Sequence, residues 1–348
     1  MDKFNLNNLI RENIKDLKPY SSARDEYASL GSEMVFLDAN ENPNSNGVNR
    51  YPDPHQRSLK SILAKQKNVE ESQILVGNGS DEILDLLFRT FCEPKKDNII
   101  SLPPTYGMYK VLAGINAIEN REVLLNLEFQ PDIETIISKV DSDSKLLFLC
   151  SPNNPTGNLI DTKKIEDLLI RFQGLVIIDE AYIDFSKTNS WVNKLSMYPN
   201  LVVTQTLSKA YGMAGIRLGM CFASEAIIDL LKKIKPPYNV NELTQKQAVN
   251  GVLDIAKVTN QVTEILTERQ NLKEALREIP FIQNIYNSEA NFLLVKVDDA
   301  DMRYNQLLEQ QIVIRNRSKQ PLCDNTLRFT IGTPEENIKL IKALKVIK

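Results

Sequence analysis

Six short apolar runs, rich in β-branched residues, recur between positions 74 and 224. They are "ILVGNGS" from 74, "NIISLPP" from 98, "KLLFLCSPNNP" from 145, "GLVIIDEAY" from 174, "LVVTQTLSK" from 201 and "RLGMCFAS" from 217. Amphipathic segments with helical spacing, among them "DEILDLLFRTF" and "TKKIEDLLIRF", separate several of them. Near-continuous apolar strands alternating with helices predict a mostly parallel sheet covered on both faces. In such sheets ligands bind just beyond the carboxyl ends of the strands. Most runs here end in polar chemistry: Gly-Asn-Gly-Ser-Asp, Pro-Pro-Thr-Tyr, Ser-Pro-Asn-Asn-Pro, Asp-Glu-Ala-Tyr or Thr-Leu-Ser-Lys. The pattern therefore gathers a candidate site at one rim of the sheet.

The rhythm changes after "KKIKPPYNV". Pro236 and Pro237 break the local structure, and a long polar helical stretch covers roughly 241 to 277. Beyond it, "NFLLVKV" from 291, "QIVIR" from 311 and "TLRFTIG" from 326 predict short strands, separated by helical patterns and closed by "ENIKLIKALKVI". The expected architecture is α/β. A large domain over 36–240 carries the mostly parallel sheet, and a small C-terminal α/β domain over 241–348 is built on a short antiparallel one. The loop-rich stretch 1–35 predicts an N-terminal arm packing with the small domain.

Composition removes several kinds of chemistry. The only histidine is His55, in the Pro-rich "YPDPHQ". A Ser-His-Asp triad or a multi-histidine metal site would rest on that one residue, so proton transfer must lean on Lys, Tyr, Asp or Glu. Cys92, Cys150, Cys221 and Cys323 are scattered, without a CxxC pair or metal-ligand spacing, and are expected to be reduced and buried. A net charge of −3 gives no sign of a nucleic-acid or membrane surface. No apolar run approaches bilayer length, and the polar start "MDKFNLNNLIRENIKDLKPY" lacks a signal-peptide core, so a cytoplasmic protein is expected.

Within "TLSKAYGMAGIRLGM", residues 206–220, Lys209 and Arg217 stand among small and apolar residues. Two surface cations on a loop are one reading; a covalent anchor and a phosphate clamp are the other. Asp179 closes a strand that should be wholly buried, where a carboxylate is costly without a cation, although an N-cap aspartate would look the same. "SPNNPTGN" reads as turn chemistry. "GNGSDEI" opens a helix, whose free N–H groups suit an anion, or else it is a capped start with no ligand. No one of these is specific. Taken together they describe a pyridoxal phosphate site. Lys209 can form the Schiff base, and Arg217 with the Gly79-Ser80-Asp81 helix start can hold the phosphate. Asp179 can pair with the ring nitrogen, Tyr182 and Asn154 can bond a phenolic oxygen, and Tyr106 can stack on the ring.

The set "SPNNPTG", "DEAY", "TLSKAYGMAGIRLG" and "LRFTIGTPEEN" resembles the fold-type-I aminotransferases of the aspartate-aminotransferase superfamily. Within them the chain resembles the histidinol-phosphate aminotransferase family, through "KPYSSARDEY", "LDANENP", "RYPDP", "GNGSDE" and "VIRNR". The resemblance covers essentially the whole chain. It implies that Lys209 carries the cofactor, and that Arg217, Thr206, Ser208 and the Ser80 loop form a phosphate cup. Asn154, Asp179 and Tyr182 become ring ligands and Tyr106 the stacking aromatic. Tyr51 would cross a homodimer interface to the neighbouring cofactor phosphate. Arg328 matches a carboxylate-binding arginine and Arg315 one that helps hold the substrate phosphate. Tyr20 would close over the substrate, and Asn40, in "LDANENP", would contact it. Arg317 shares a strand face with Arg315 by alternation, and a strand-end surface cation is the other reading of Arg315.

The implied reaction is transamination of L-histidinol phosphate with 2-oxoglutarate, giving imidazole acetol phosphate and L-glutamate in histidine biosynthesis. Competing readings are an aromatic or general amino-acid aminotransferase and a pyridoxal-phosphate decarboxylase of a phosphorylated amino acid. Outside enzymes, a cofactor-binding regulator would need a DNA-binding module, for which the roughly 35 residues before the catalytic pattern leave little room.

Overall fold

The computed structural model describes residues 4–20 and 35–347. A seven-stranded sheet has the order β1-β7-β6-β5-β4-β2-β3. Its strands are β1 (Ile74–Asn78), β2 (Asn98–Ser101), β3 (Glu119–Glu122), β4 (Ser144–Cys150), β5 (Leu175–Asp179), β6 (Leu201–Thr206) and β7 (Leu218–Ala223). β6, β5, β4, β2 and β3 run parallel, whereas β7 lies antiparallel between β6 and β1. The carboxyl ends of β1, β4, β5 and β6 and the start of β7 therefore meet at one rim. Strands β5, β6 and β7 are buried throughout, as continuous apolar runs demand. Two apolar layers cover the faces: Val176, Ile178 and Val203 point to one, Leu175, Ile177 and Val202 to the other.

A second, antiparallel sheet has the order β10-β11-β9-β8, with β8 at Ile282–Ile285, β9 at Phe292–Val297, β10 at Arg315–Asn316 and β11 at Thr326–Thr330. Helices Ile255–Leu276 and Pro334–Val346 cover it, sharing a core built on Leu276, Val295, Leu327 and Leu344. The α/β layout with a large parallel sheet and a small C-terminal sheet is the one expected from the pattern.

Two expectations change. The long helical stretch is two helices, Glu242–Leu253 and Ile255–Leu276, divided at Asp254, which caps the second through its side chain. Val240, Ala248 and Val252 belong to the core of the large sheet. The described part of the N-terminal arm lies on the large domain, not the small one. Leu9 is buried in the core that includes Leu84 and Phe88. Arg11 pairs with Glu93 at 3.1 Å, and Lys233 Nζ donates to the Lys15 carbonyl at 2.8 Å. Residues 21–34, with all of "SSARDEY", lie outside the described residues. Among the described helices none is long and apolar enough to cross a membrane.

Candidate active site

A cavity of about 170 Å³ opens at the rim of the large sheet. Ten residues singled out in the sequence line it: Ser80, Asp81, Tyr106, Asn154, Asp179, Tyr182, Thr206, Ser208, Lys209 and Arg217. Their meeting follows from topology, because β1, β4, β5 and β6 each end at that rim and β7 begins there.

Asp179, the last residue of β5, forms the anionic end. The residue is 3% exposed. Oδ2 accepts a hydrogen bond from the Tyr109 hydroxyl at 2.8 Å, and Oδ1 one from the Ala181 amide at 3.2 Å. Burial raises its pKa, against the pull of these two donors. Tyr109 is fully buried in the helix Met108–Ile115, stacked on Phe148 at 4.7 Å.

The opposite end is cationic. Helix Ser80–Phe91 starts after Gly79, whose φ of 78° is open to glycine, and no side chain caps its first amides. A Cβ on Gly79 would lie 2.7 Å from Arg217 Nη2. One on Gly219 would lie 2.3 Å from the Ser80 nitrogen, so glycine lets β7 press against the turn. Arg217 itself adopts a left-handed conformation (φ 55°) between the turn Ala214–Ile216 and β7. Its Nη1 donates to Ser208 Oγ at 3.4 Å, and Nη2 stands 3.9 Å from Asp81 Oδ2. Asp81 also accepts from the Tyr106 hydroxyl at 3.0 Å. Thr206 Oγ1 accepts from the Ser208 amide at 3.1 Å and fixes the turn after β6.

Lys209 lies between these ends, open to the cavity, its Nζ 5.7 Å from the centre of the Tyr182 ring. Burial of the ammonium lowers its pKa, with Arg328 and Arg217 adding to the effect and Asp179 opposing it. Tyr182 packs edge-on to Phe292 of β9 at 5.2 Å, which brings the small sheet against the cavity wall. Burial also raises the Tyr182 hydroxyl pKa. From that sheet Arg328 donates through Nη1 to Asn154 Oδ1 and lies over the Phe292 ring at 5.0 Å. Its cross-strand partner, Arg315, is exposed.

Four expected residues stand apart from this cavity, among them Arg315, which lines a hollow of the small sheet with Val313 and Phe329. Asn40 and Tyr51 line a separate hollow with Val48, Arg50 and Leu243. There Tyr51 stacks on Tyr238 at 4.4 Å, and its amide donates to Glu41 at 2.6 Å. Tyr20 is 73% exposed at the end of the described arm. Sequence reasoning missed Tyr109, Cys150 and Ala181. Only Tyr109 carried a signal: in "PTYGMYKV" it follows Tyr106 by three positions, although Tyr106 lies just before the helix and not on it.

The family described as Aminotransferase class I and II matches residues 26–344. A histidinol-phosphate aminotransferase of Flavobacterium johnsoniae is 62% identical over 348 residues, covering 100% of both chains. One of Christiangramia forsetii is 60% identical over 348 residues, covering 100% of this chain and 99% of its own. Among solved structures, the histidinol-phosphate aminotransferase of Clostridium acetobutylicum superposes with a TM-score of 0.79 at 29% identity, over 86% of this chain and 90% of that one. With its cavity built around a lysine at the strand rim, the chain belongs to the class I and II aminotransferase family.

Proposed function

We propose that this protein transaminates L-histidinol phosphate with 2-oxoglutarate, using pyridoxal 5'-phosphate and yielding imidazole acetol phosphate and L-glutamate in histidine biosynthesis. The observation that carries the reading is a bipolar cavity with a lysine at its centre and an arginine-bearing sheet at its mouth. The full-length similarity to histidinol-phosphate aminotransferases supports the same substrate pair.

The residues present fit the cofactor. Asp179 is a buried carboxylate with no cation bonded to it among the described residues, and a protonated ring nitrogen supplies one. The glycine-lined turn under Arg217 leaves space and free amides that suit a phosphate dianion. When bound, pyridoxal phosphate holds the amino substrate covalently and draws electrons from its Cα into the ring.

The chain's own residues set the rest. Asp179 stays ionised and keeps the ring nitrogen cationic. The Tyr109 hydroxyl and the Ala181 amide fix its orientation. Arg217, Ser208, Thr206 and the amides of the Ser80 turn hold the phosphate, while Tyr106 presents its ring to the cavity. Asn154 and Tyr182 are placed to donate to the phenolic oxygen. Lys209, with its ammonium destabilised, has a larger share of free amine at neutral pH than an exposed lysine. Its Nζ accepts the proton lost from the substrate Cα. Arg328 binds an anionic group common to both substrates, as a planar guanidinium forks onto carboxylate or phosphate alike.

The reading extends to assembly and place. Tyr51 serves the site from a second copy of the chain, Asn40 contacts the substrate, and Tyr20 closes over it. Exposed Leu37, Val48, Tyr51 and Leu243 around the second hollow support a homodimer that covers them. Small-molecule substrates of central metabolism support a cytoplasmic setting. The division into an arm, a cofactor-binding domain and a small domain belongs to the same reading.

The test is a half-reaction screen on the purified holoenzyme, following the cofactor spectrum with L-histidinol phosphate, L-histidinol, L-glutamate and L-phenylalanine. Conversion with the phosphorylated amine and glutamate, without release of carbon dioxide, is expected. Preference for L-phenylalanine, or decarboxylation of a phosphorylated amino acid, would replace this reading.

A further inference from the structure

Thr204 lies in the middle of the large sheet with its side chain wholly buried, and its hydroxyl finds no hydrogen-bond partner among the described residues. A buried hydroxyl left unbonded costs its lost hydration, and valine, of nearly the same shape, would avoid that cost. Thr206, two positions along β6, shows the usual outcome. Its hydroxyl donates to the Leu218 carbonyl and accepts from the Ser208 amide, each at 3.1 Å.

The strand register explains what stands beside Thr204. Cys150 of β4, Asp179 of β5, Thr204 of β6 and Cys221 of β7 are successive partners across the sheet, so their side chains form one row on one face. All four are buried. The Glu180 amide donates to the Thr204 carbonyl at 2.8 Å and ties the two strands together just beyond the pair. Burial pushes both thiols well above their ordinary range and keeps them neutral, which leaves the Asp179 carboxylate as the strong acceptor of the row. That carboxylate has capacity to spare. It accepts from the Tyr109 hydroxyl and the Ala181 amide, whereas an ionised carboxyl offers about four acceptor sites.

We infer that the Thr204 hydroxyl is a third donor to the ionised Asp179 carboxylate, a positioning residue that helps keep the ring nitrogen of the cofactor cationic. The inference rests on the cofactor seat proposed above, in which that nitrogen meets Asp179. Neighbouring strands lie about 4.8 Å apart, so a slight turn of either side chain closes the bond once the carboxyl is charged. Tyr109 holds the carboxylate from the helix behind the sheet, and Thr204 holds it from the adjoining strand. Thr204 is among the groups that pull the Asp179 pKa down against burial. Other charges act on the same carboxyl: Asp81 disfavours its ionisation and Lys209 favours it. The Tyr106 and Tyr182 hydroxyls share the cavity and stay neutral, since burial raises both.

The experiment compares wild type with Thr204→Val, which keeps the shape and removes the donor, and with Thr204→Ser, which keeps the donor. The first readout is the nitrogen magnetic resonance of ring-labelled pyridoxal phosphate in the holoenzyme. At neutral pH the signal of Thr204→Val should move toward the unprotonated position, while Thr204→Ser stays near wild type. Turnover of Thr204→Val should fall roughly tenfold, with KM within about twofold. The second readout is urea unfolding of the cofactor-free chain. Removing a donor to the charged form raises the folded pKa of Asp179 further, so Thr204→Val should lose stability relative to wild type as pH rises from about 4 to 8. In an Asp179→Asn background the same change should have an effect that does not vary with pH.

An unchanged nitrogen signal in Thr204→Val overturns the inference. So does a stability loss that is constant with pH, or one that varies equally in the Asp179→Asn background, since either makes Thr204 a packing residue. If the ring nitrogen of the wild-type holoenzyme is unprotonated, the cofactor seat itself fails and the inference goes with it. Neither readout uses an amino substrate, so failure of the proposed substrate pair would leave the inference standing.

Discussion

The Tyr109 hydroxyl and the Asp179 carboxylate are joined by a fully buried 2.8 Å hydrogen bond, donated from the helix behind the sheet to the strand end in front of it. The donor steadies the anion against its own burial and fixes its direction. Tyr109→Phe keeps the ring and its stacking on Phe148 but removes the donor. Loss of a hydrogen bond to a charged group costs about 1.5–3 kcal/mol, so turnover should fall roughly 10- to 100-fold with little change in KM. Asp179 should also titrate at higher pH. A pH–absorbance profile of the bound cofactor identical to wild type would show that the bond has no part in holding the carboxylate.

Asp179 makes a prediction about stability without the cofactor. Burial raises its folded pKa above the ordinary 3.8, so the folded chain binds more protons than the unfolded one across the window between the two values. Stability from this group is then complete below the unfolded value and is lost as pH rises through the folded one. The neutral amide in Asp179→Asn escapes that loss. Relative to wild type, the cofactor-free variant should gain stability as pH rises from about 4 to 8 in urea unfolding. A gain that is constant with pH would mean that the carboxyl titrates alike in the folded and unfolded chains, so that burial does not raise its pKa. In the loaded enzyme the same change should slow turnover sharply, since an amide cannot hold the ring nitrogen cationic.

Lys209→Ala tests the anchor. The variant should fold and bind pyridoxal phosphate through Arg217 and the Ser80 turn, yet leave no cofactor attached after borohydride reduction and denaturation. Mass spectrometry reads this directly. Covalently fixed cofactor on another lysine would remove Lys209 from its role.

Sharing of sites between subunits has its own signature. Tyr51 lies outside the Lys209 cavity, so each assembled site should draw its tyrosine from the other chain. Tyr51→Phe and Lys209→Ala homodimers should both be impaired, whereas heterodimers made by refolding a mixture should keep one site free of both lesions. Proven heterodimers no more active than either parent would place both residues in one subunit's site.

The large sheet was legible because its interior strands are buried on both faces and read as unbroken apolar runs. β3, with the sequence Glu-Asn-Arg-Glu, was not, since an edge strand open to water has no such constraint. "QIVIR" looked like a full strand, but only Arg315–Asn316 pair, and Val313 projects into solvent at 77% exposure. The ten cavity residues could be named because each stands just beyond the end of a recognisable run or, for Arg217, at its start. Tyr109 could not be assigned a partner, because its role depends on a contact across 70 positions that no local pattern records. The described part of the arm could not be placed from its sequence, because Leu9 is apolar without saying which core it joins.

Gly219 lies in β7 between Gly77 of β1 and Thr206 of β6, with the Ser80 amide and the Gly79 carbonyl carbon at 2.3 and 2.4 Å from any β-carbon it might be given. These are backbone atoms, and they belong to the turn assigned to the cofactor phosphate. No rotamer relieves the overlap, and the turn cannot retreat without opening that seat. In genetic terms the position tolerates no missense change: a base substitution in its codon either leaves glycine or displaces the phosphate seat. Variation among functional copies of the gene should therefore be synonymous at this codon.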